Sequence, residues 1–254
     1  MILDFVKGLF IKKKVLDVTK LPSQGFFYKK NFKISIKKVS KVEILEYEYE
    51  YDREDISLVL GRLKKIVENN TIISKGYSFN DIKSIDVIFI FLEIVRFTKN
   101  RPVQIEYFKE DGFIDKINFD EESFNYCNLS DDIMINLNKY ESCFDIDGYR
   151  FTLPSIGVEK CLTNFLIKKS YIENSFKYNE YNYNFTYFLG DKNYLGSDEI
   201  ENLIQIFNTD MDDEEIKKTD NIVKIFIPIQ KYSLIKNGKV IEMSSKINLQ
   251  EIWK

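Results

Sequence analysis

Histidine is absent from all 254 residues of this chain. That excludes the Ser-His-Asp and Cys-His nucleophile systems and H-E-x-x-H zinc sites. It also removes the side chain best suited to proton transfer near neutral pH. Carboxylate-only or lysine-based chemistry stays open, but no catalytic residue stands out, and the expectation is a protein that is not an enzyme. Cysteine is scarce. Cys127, Cys143 and Cys161 are odd in number and form no C-x-x-C pair. This argues against a disulfide framework or a zinc knuckle and suits a reducing cytoplasm. Neither G-x-G-x-x-G nor G-x-x-x-x-G-K-[ST] occurs, so no nucleotide cradle is encoded, and neither a cofactor nor a metal is expected. With 4 Pro and 10 Gly, the chain has no Pro/Gly/Ser-rich linker and shows no repeat period. Its longest apolar run, Val87 to Leu92, falls far short of the roughly 20 residues of a membrane span. The opening MILDFVKGLFIKKK carries an acid within its apolar part and its lysine cluster after it. A secretory signal has the reverse order, and the segment reads as mature protein.

What is present is material for a core. The hydrophobic fraction is 44%, with 21 Phe and 16 Tyr, which is incompatible with wholesale disorder. The net charge of −3 conceals an asymmetry: residues 1–42 hold eleven Lys against two Asp, so the remainder is strongly acidic. A basic arm can bind nucleic acid or an acidic protein, or contact the chain's own acids. This arm contains no Arg and no signature for reading bases or phosphates, so nucleic acid is disfavoured as a partner. The acidic runs at Asp120–Glu122, Asp131–Asp132 and Asp210–Glu215 read as solvated surface. DMDDEE lacks the ligand alternation and central glycine of a calcium loop. The stretch KYNEYNYNFTYF, residues 177 to 188, reads as a strand with a tyrosine face or as a protein interface. Base stacking is the weaker alternative, because Tyr178 to Phe188 holds no cation.

Turn signals organise the chain. Asp111-Gly112, Asp147-Gly148 and Asn237-Gly238 each sit between β-rich runs and predict hairpins. Phe27 to Ile36 predicts a weaker fourth, bending at Lys30-Asn31. Ser40 with Glu43 forms a capping-box pattern, and EYEYEY, residues 46 to 51, alternates with period two. Together they predict a short helix followed by an extended segment. Leu60, Leu63, Ile66 and Val67 predict a helix over 56–67. Asn80 predicts the cap of a longer, mostly buried helix through Phe97, and Pro154 the start of another. Further helices are expected from Ser197 to Asn208 and around 212–219. Pro228 within IVKIFIPIQ places the last hairpin at the rim of a sheet. The expected class is α+β: a helical N-terminal portion with β-hairpins in the middle and near the C-terminus. The division is drawn at residues 1–125 and 126–254, with a single domain as the alternative.

The most distinctive short stretch is LPSQGFFY, residues 21 to 28. Pro22 fixes φ, Gly25 can take a backbone angle that other residues resist, and Phe26, Phe27 and Tyr28 are expected to enter a strand with alternating faces. The order Leu21-Pro22-Ser23, Gly25, Tyr28 resembles the baseplate hub protein family of T-even-like contractile-tailed phages. The resemblance continues through the Ser40-to-Glu43 helix start and through DIKSIDVIFIFLEIVRFTKNRPVQIEY, which resembles the family's central helix, carrying Asp86 and ending at Arg96. It closes on FDIDGYRFTLPSIG, with Leu153-Pro154, and covers most of residues 15 to 170. Relatives with paired cysteines in the middle β region contrast with the lone Cys127 here.

The resemblance implies a non-enzymatic hub subunit or hub-assembly chaperone acting by protein–protein binding. Its partners would be other hub proteins and the tape-measure protein. It would be found in the host-cell cytoplasm during assembly or in the virion tail baseplate. The residues expected to bind partners or hold the fold are Leu21, Pro22, Ser23, Gly25, Phe26, Tyr28, Leu153 and Pro154. A nucleic-acid-binding module, using the basic arm and the tyrosine stretch, is the alternative.

Overall fold

The computed structural model describes residues 12–51, 56–108, 114–119, 124–126, 144–146, 149–161, 214, 217, 232–236, 239–242, 247–249 and 252–253. In chain order its elements are β1 (Lys13–Leu16), β2 (Ile34–Lys37), α1 (Lys41–Tyr51), α2 (Ile56–Asn70), β3 (Thr71–Ile73), α3 (Val87–Lys99), β4 (Val103–Phe108) and β5 (Ile114–Phe119). There follow β6 (Phe124–Tyr126), β7 (Phe144–Ile146), β8 (Tyr149–Phe151), β9 (Tyr232–Lys236), β10 (Lys239–Glu242) and β11 (Ile247–Asn248). The class is α+β. Helices pack among small antiparallel sheets ordered β1-β2-β3, β11-β4-β5, β10-β9-β6 and β7-β8.

Two hairpins close as the turn chemistry dictates. Ile146 pairs with Tyr149 around Asp147-Gly148, and Lys236 with Lys239 around Asn237-Gly238. Asp111-Gly112 falls among the five residues enclosed by Phe108 and Ile114. The last hairpin puts β10 at a sheet edge and β9 in the middle. Pro228, the acidic runs, the tyrosine stretch and the helix expected at Ser197–Asn208 lie outside the described residues. So do Cys127 and Cys143, whereas Cys161 is a half-buried free thiol.

Four expectations are corrected. Phe27 to Ile36 is not a hairpin. Residues 21–27 form successive turns, and β2 pairs instead with β1 and β3. EYEYEY is helical throughout, because the capping box wins. Ser40 N–H donates to Glu43 Oε2 at 3.1 Å and Glu43 N–H to Ser40 Oγ at 3.3 Å. A strand would have set Tyr47 and Tyr49 on one face; the helix buries Tyr47 fully and leaves Tyr49 65% exposed.

The helix expected from Asn80 begins only at Val87, after 3-10 turns at Phe79–Asp81 and Ser84–Asp86. The break has a tertiary cause. Lys83 N–H donates to Tyr28 Oη, Ser84 N–H to the Pro154 carbonyl, and Ile156 N–H to the Ile82 carbonyl. Those groups would otherwise bond within a continuous helix. The last correction is at Pro154, which lies before its helix. Ser155 caps the helix, accepting Val158 N–H on Oγ at 3.3 Å, and residues 156–161 are helical.

The core gathers around α3. Asn100 ends this helix in the left-handed conformation (φ 53°) and donates its N–H to the Arg96 carbonyl. The chain's last residues return to it: Trp253 stands edge-on to Phe91 (centroids 5.9 Å) and to Tyr47 (6.4 Å). β11 pairs with β4, and Lys99 Nζ donates to the Ile252 carbonyl at 2.9 Å. No helix among the described residues is long and apolar enough to cross a membrane.

Candidate functional site: a buried junction of three segments

Asp17 starts the junction locally, accepting Thr19 N–H on Oδ1 at 3.0 Å to cap the 3-10 turn Val18–Lys20. The chain then turns repeatedly. Gln24 N–H donates to the Leu21 carbonyl, and Phe26 N–H to that of Ser23. Gln24, Gly25 and Phe27 have φ of 54°, 77° and 62°. A bulky residue with positive φ is strained and persists only where its surroundings hold it. Phe27 is only 4% exposed, and that burial is the restraint. The expectation that Phe26, Phe27 and Tyr28 enter a strand with one face outward is therefore corrected: all three are buried inside the turn.

Asp86 receives this turn. It sits at the N-cap of α3 but makes no side-chain cap there. Instead its Oδ1 accepts Ser23 N–H at 2.8 Å and its Oδ2 accepts the Tyr28 hydroxyl at 2.7 Å. Tyr28 Oη in turn accepts Lys83 N–H at 2.8 Å. Lys83 Nζ reaches Thr152 Oγ1 at 3.3 Å and lies 6.0 Å from the Tyr28 ring centroid. The Pro154 carbonyl closes the junction on Ser84 N–H at 2.9 Å.

Of the residues singled out from the sequence, Leu21, Pro22, Ser23, Gly25, Phe26, Tyr28, Leu153 and Pro154 are all buried. Ser23, Tyr28 and Pro154 make the polar links named above, and Gly25 N–H donates to Ser23 Oγ at 3.3 Å. Lys83 and Thr152 were not anticipated. A lysine just ahead of the apolar run SIDVIFIFL was the one available signal for the first. Arg96 lies apart from this junction, on Glu93 Oε2 at 2.9 Å.

Burial governs the electrostatics. Desolvation pushes the Asp86 carboxyl up to about 6, against the Ser23 and Tyr28 hydrogen bonds and the Lys83 charge, which favour the anion. Desolvation pulls the Lys83 ammonium down to about 8, opposed by Asp86 and Asp81. The Tyr28 phenol is pushed well up by burial, then by the neighbouring Asp86 charge. Shifted groups of this kind can mark active sites. Here Asp86, Tyr28 and Lys83 are 0%, 3% and 4% exposed, and their polar atoms are spent joining segments far apart in sequence. Among the described residues no group of three or more Cys, Asp or Glu side chains could hold a metal ion. The arrangement fixes a conformation.

Gly25 has room but not backbone freedom for a side chain. A Cβ there would meet the Val18 carbonyl oxygen at 3.5 Å and Thr19 Cα at 3.6 Å, ordinary contacts, so the cost comes from φ of +77°. Gly25→Val is expected to lose about 1–3 kcal/mol, with Gly25→Ala nearer the lower end. Denaturant unfolding checks this, and wild-type stability in both variants would show that the turn adapts without strain.

No protein-family model, curated protein or solved structure matches this chain.

Proposed function

We propose that this chain is a non-enzymatic baseplate hub subunit or hub-assembly chaperone of a contractile-tailed phage. It acts by binding other hub proteins and the tape-measure protein during assembly in the host cell. One observation carries the reading. The segments that resemble the hub family, Leu21-Pro22-Ser23 with Gly25 and Tyr28, then Asp86, then Leu153-Pro154, are dispersed over more than half the chain. They meet at a single buried junction. Their meeting gives the resemblance a common structural element, and that is what supports the reading.

Because the motif is buried, partner contact falls to other surfaces. The outer face of α1 presents Val42, Leu45 and Tyr49, each 64–65% exposed and spaced i, i+3, i+7 along one helical stripe. The inner face of the same helix holds Tyr47. Large apolar side chains in a contiguous exposed stripe mark contact surface.

The test is co-expression with hub and tape-measure proteins of the same phage, with Leu45→Glu beside wild type. Wild type should co-purify with at least one of them, and Leu45→Glu should lose about tenfold or more in recovery while its thermal unfolding is unchanged. Failure to co-purify with any of them, together with normal tails from phage lacking the gene, overturns the reading. Mass spectrometry of mature particles beside assembly intermediates then separates a subunit, present in both, from a chaperone, present only in intermediates.

A further inference from the structure

We infer that the outer face of the β1-β2-β3 sheet is a docking surface for a segment of a protein partner that carries aliphatic side chains between carboxylates. This deepens the protein-binding reading and rests on it for the identity of the partner, but not for the chemistry. The pairing register lays the face out. Lys14–Ile36–Thr71 and Leu16–Ile34–Ile73 are the rows of one side, where Leu16, Ile34 and Ile36 are buried in the core. Side chains alternate along a strand, so the other side carries Val15–Ser35–Ile72 as its middle row, with Lys13 directly across from Lys37 at one end. Lys33 stands at the other end. Its carbonyl still accepts Ser74 N–H at 3.0 Å, so the ladder continues one residue ahead of β2.

Two features of this face are unfavourable in the isolated chain. The solvated side of an antiparallel sheet is ordinarily polar, yet Val15 is 61% and Ile72 43% exposed in one row. Ser35 between them is short and half-buried. With strands about 4.8 Å apart, the two aliphatic side chains stand about 10 Å from each other and border a shallow trough along β2. The second feature is electrostatic. Like charges directly opposite on neighbouring strands repel, and Lys13 and Lys37 form such a pair. Among the described residues the ammonium groups of Lys13, Lys33 and Lys37 make no hydrogen bond or ion pair. The acid that follows β1, Asp17, is occupied with Thr19, whose N–H and hydroxyl donate to its Oδ1 at 3.0 and 2.8 Å.

One occupant offsets both costs. Aliphatic side chains laid over Ser35 cover Val15 and Ile72. Carboxylates on either side then meet the Lys13–Lys37 pair and, about 13 Å away along β2, Lys33. An apolar centre with a charged rim is the anatomy of a protein interface. Nucleic acid calls for rings on which bases stack, and a membrane surface for bulky anchors such as Trp, Phe or Leu. The outward positions of these three strands hold only Lys, Val, Ser and Ile. A second copy of the chain would set lysines against lysines.

The probe is a short fluorescent peptide with Asp and Glu flanking a central Leu-Val pair. It is compared with its Asn/Gln counterpart, with an acidic peptide bearing Ser in place of Leu and Val, with a single-stranded oligonucleotide and with phosphatidylserine vesicles. The full-length protein should bind the acidic aliphatic peptide, more weakly as salt rises, and both altered peptides at least about tenfold more weakly. Lys13 is exposed. Lys13→Glu should weaken binding about tenfold or more while raising the thermal unfolding temperature slightly, because it turns the repulsion across from Lys37 into an attraction. Better folding with poorer binding separates docking from stability. Val15→Thr with Ile72→Thr keeps the β-branched shape and should weaken binding about fivefold. Lys65→Glu, an equal charge change on the exposed face of α2, should bind like wild type. Wild-type binding by Lys13→Glu overturns the inference, as does equal binding of the amide peptide or no binding of the acidic aliphatic peptide at low salt. Tighter binding to the oligonucleotide or the vesicles overturns it too. Hub proteins that co-purify through α1 while the peptide fails would leave the functional reading standing without this face.

Discussion

Asp86→Ala is expected to cost about 3–5 kcal/mol of folding stability, the range for removing one partner of a buried charge pair. Three losses combine. Ser23 N–H and the Tyr28 hydroxyl lose their acceptors at 2.8 and 2.7 Å inside the protein. Lys83, 4% exposed, loses the largest of the charges that offset its burial. Asp86→Asn keeps an acceptor for Ser23 but sets an amide N–H against a hydroxyl that already takes the Lys83 N–H. It should therefore cost less than alanine but more than a surface change. Adding Lys83→Met to Asp86→Ala removes the stranded ammonium and should recover part of the loss. Equilibrium denaturation of all four proteins checks the order. An Asp86→Ala loss under about 1 kcal/mol would show that the junction does not hold the segments together.

The same carboxyl sets a pH dependence. Its folded pKa, about 6, lies above the ordinary aspartate value of 3.8. The folded state thus holds this proton more tightly than the unfolded state does. The stability it contributes is complete below about 3.8 and is lost as pH rises through about 6. Lys83 has the opposite shift: its contribution is present above 10.5 and is lost as pH falls through about 8. Between those two values both groups are charged and the junction is at its most costly. The wild-type protein should accordingly gain stability relative to Asp86→Asn as pH falls from 7 to 5. A difference that stays flat, or moves the other way, would place the Asp86 titration outside this range.

How much of this was legible depended on whether the determinant was local. Asp147-Gly148 and Asn237-Gly238 set their hairpins because two-residue turns need positive φ, a property of the dipeptide itself. The Ser40–Glu43 box was equally visible, and its power to override the EYEYEY alternation was the part misjudged. Alternating tyrosines predict a strand only when both strand faces find their neighbours, and here α1 takes Tyr47 alone into the core. The start of α3 was misplaced for a different reason. The residues that interrupt it, Ile82 to Ser84, bond to Tyr28, Pro154 and Ile156, and no window of sequence around Asn80 contains those partners. The burial of LPSQGFFY was hidden in the same way. Composition shows a turn with aromatics, but only the tertiary arrangement brings Asp86 onto its backbone. Gly25 was legible, since its φ of 77° follows from a turn that places glycine after Ser-Gln; Phe27 at 62° was not, because no local rule assigns a phenylalanine to that region.

Trp253→Ala is expected to cost about 3–5 kcal/mol, the usual range for emptying a buried aromatic site. Its ring is 8% exposed and closes the seam between α1 and α3, edge-on to Tyr47 and Phe91 at 77° and 86°. Truncation opens that seam. It also loosens the neighbouring backbone link, in which Lys99 Nζ holds the Ile252 carbonyl, and the short β11–β4 pairing a few residues earlier. Trp253→Phe should cost much less, and less than its lost area suggests. Trp253 Nε1 is buried with no hydrogen-bond acceptor, and phenylalanine removes that unsatisfied donor, worth about 1–3 kcal/mol, while leaving a ring in place. Because this is the chain's only tryptophan, wild-type emission reports directly on docking of the tail. It should shift to the red with the main circular-dichroism transition if the tail is integral to the core. An earlier red shift, with Trp253→Ala no less stable than wild type, would mean that the terminal segment rests on a core already complete without it.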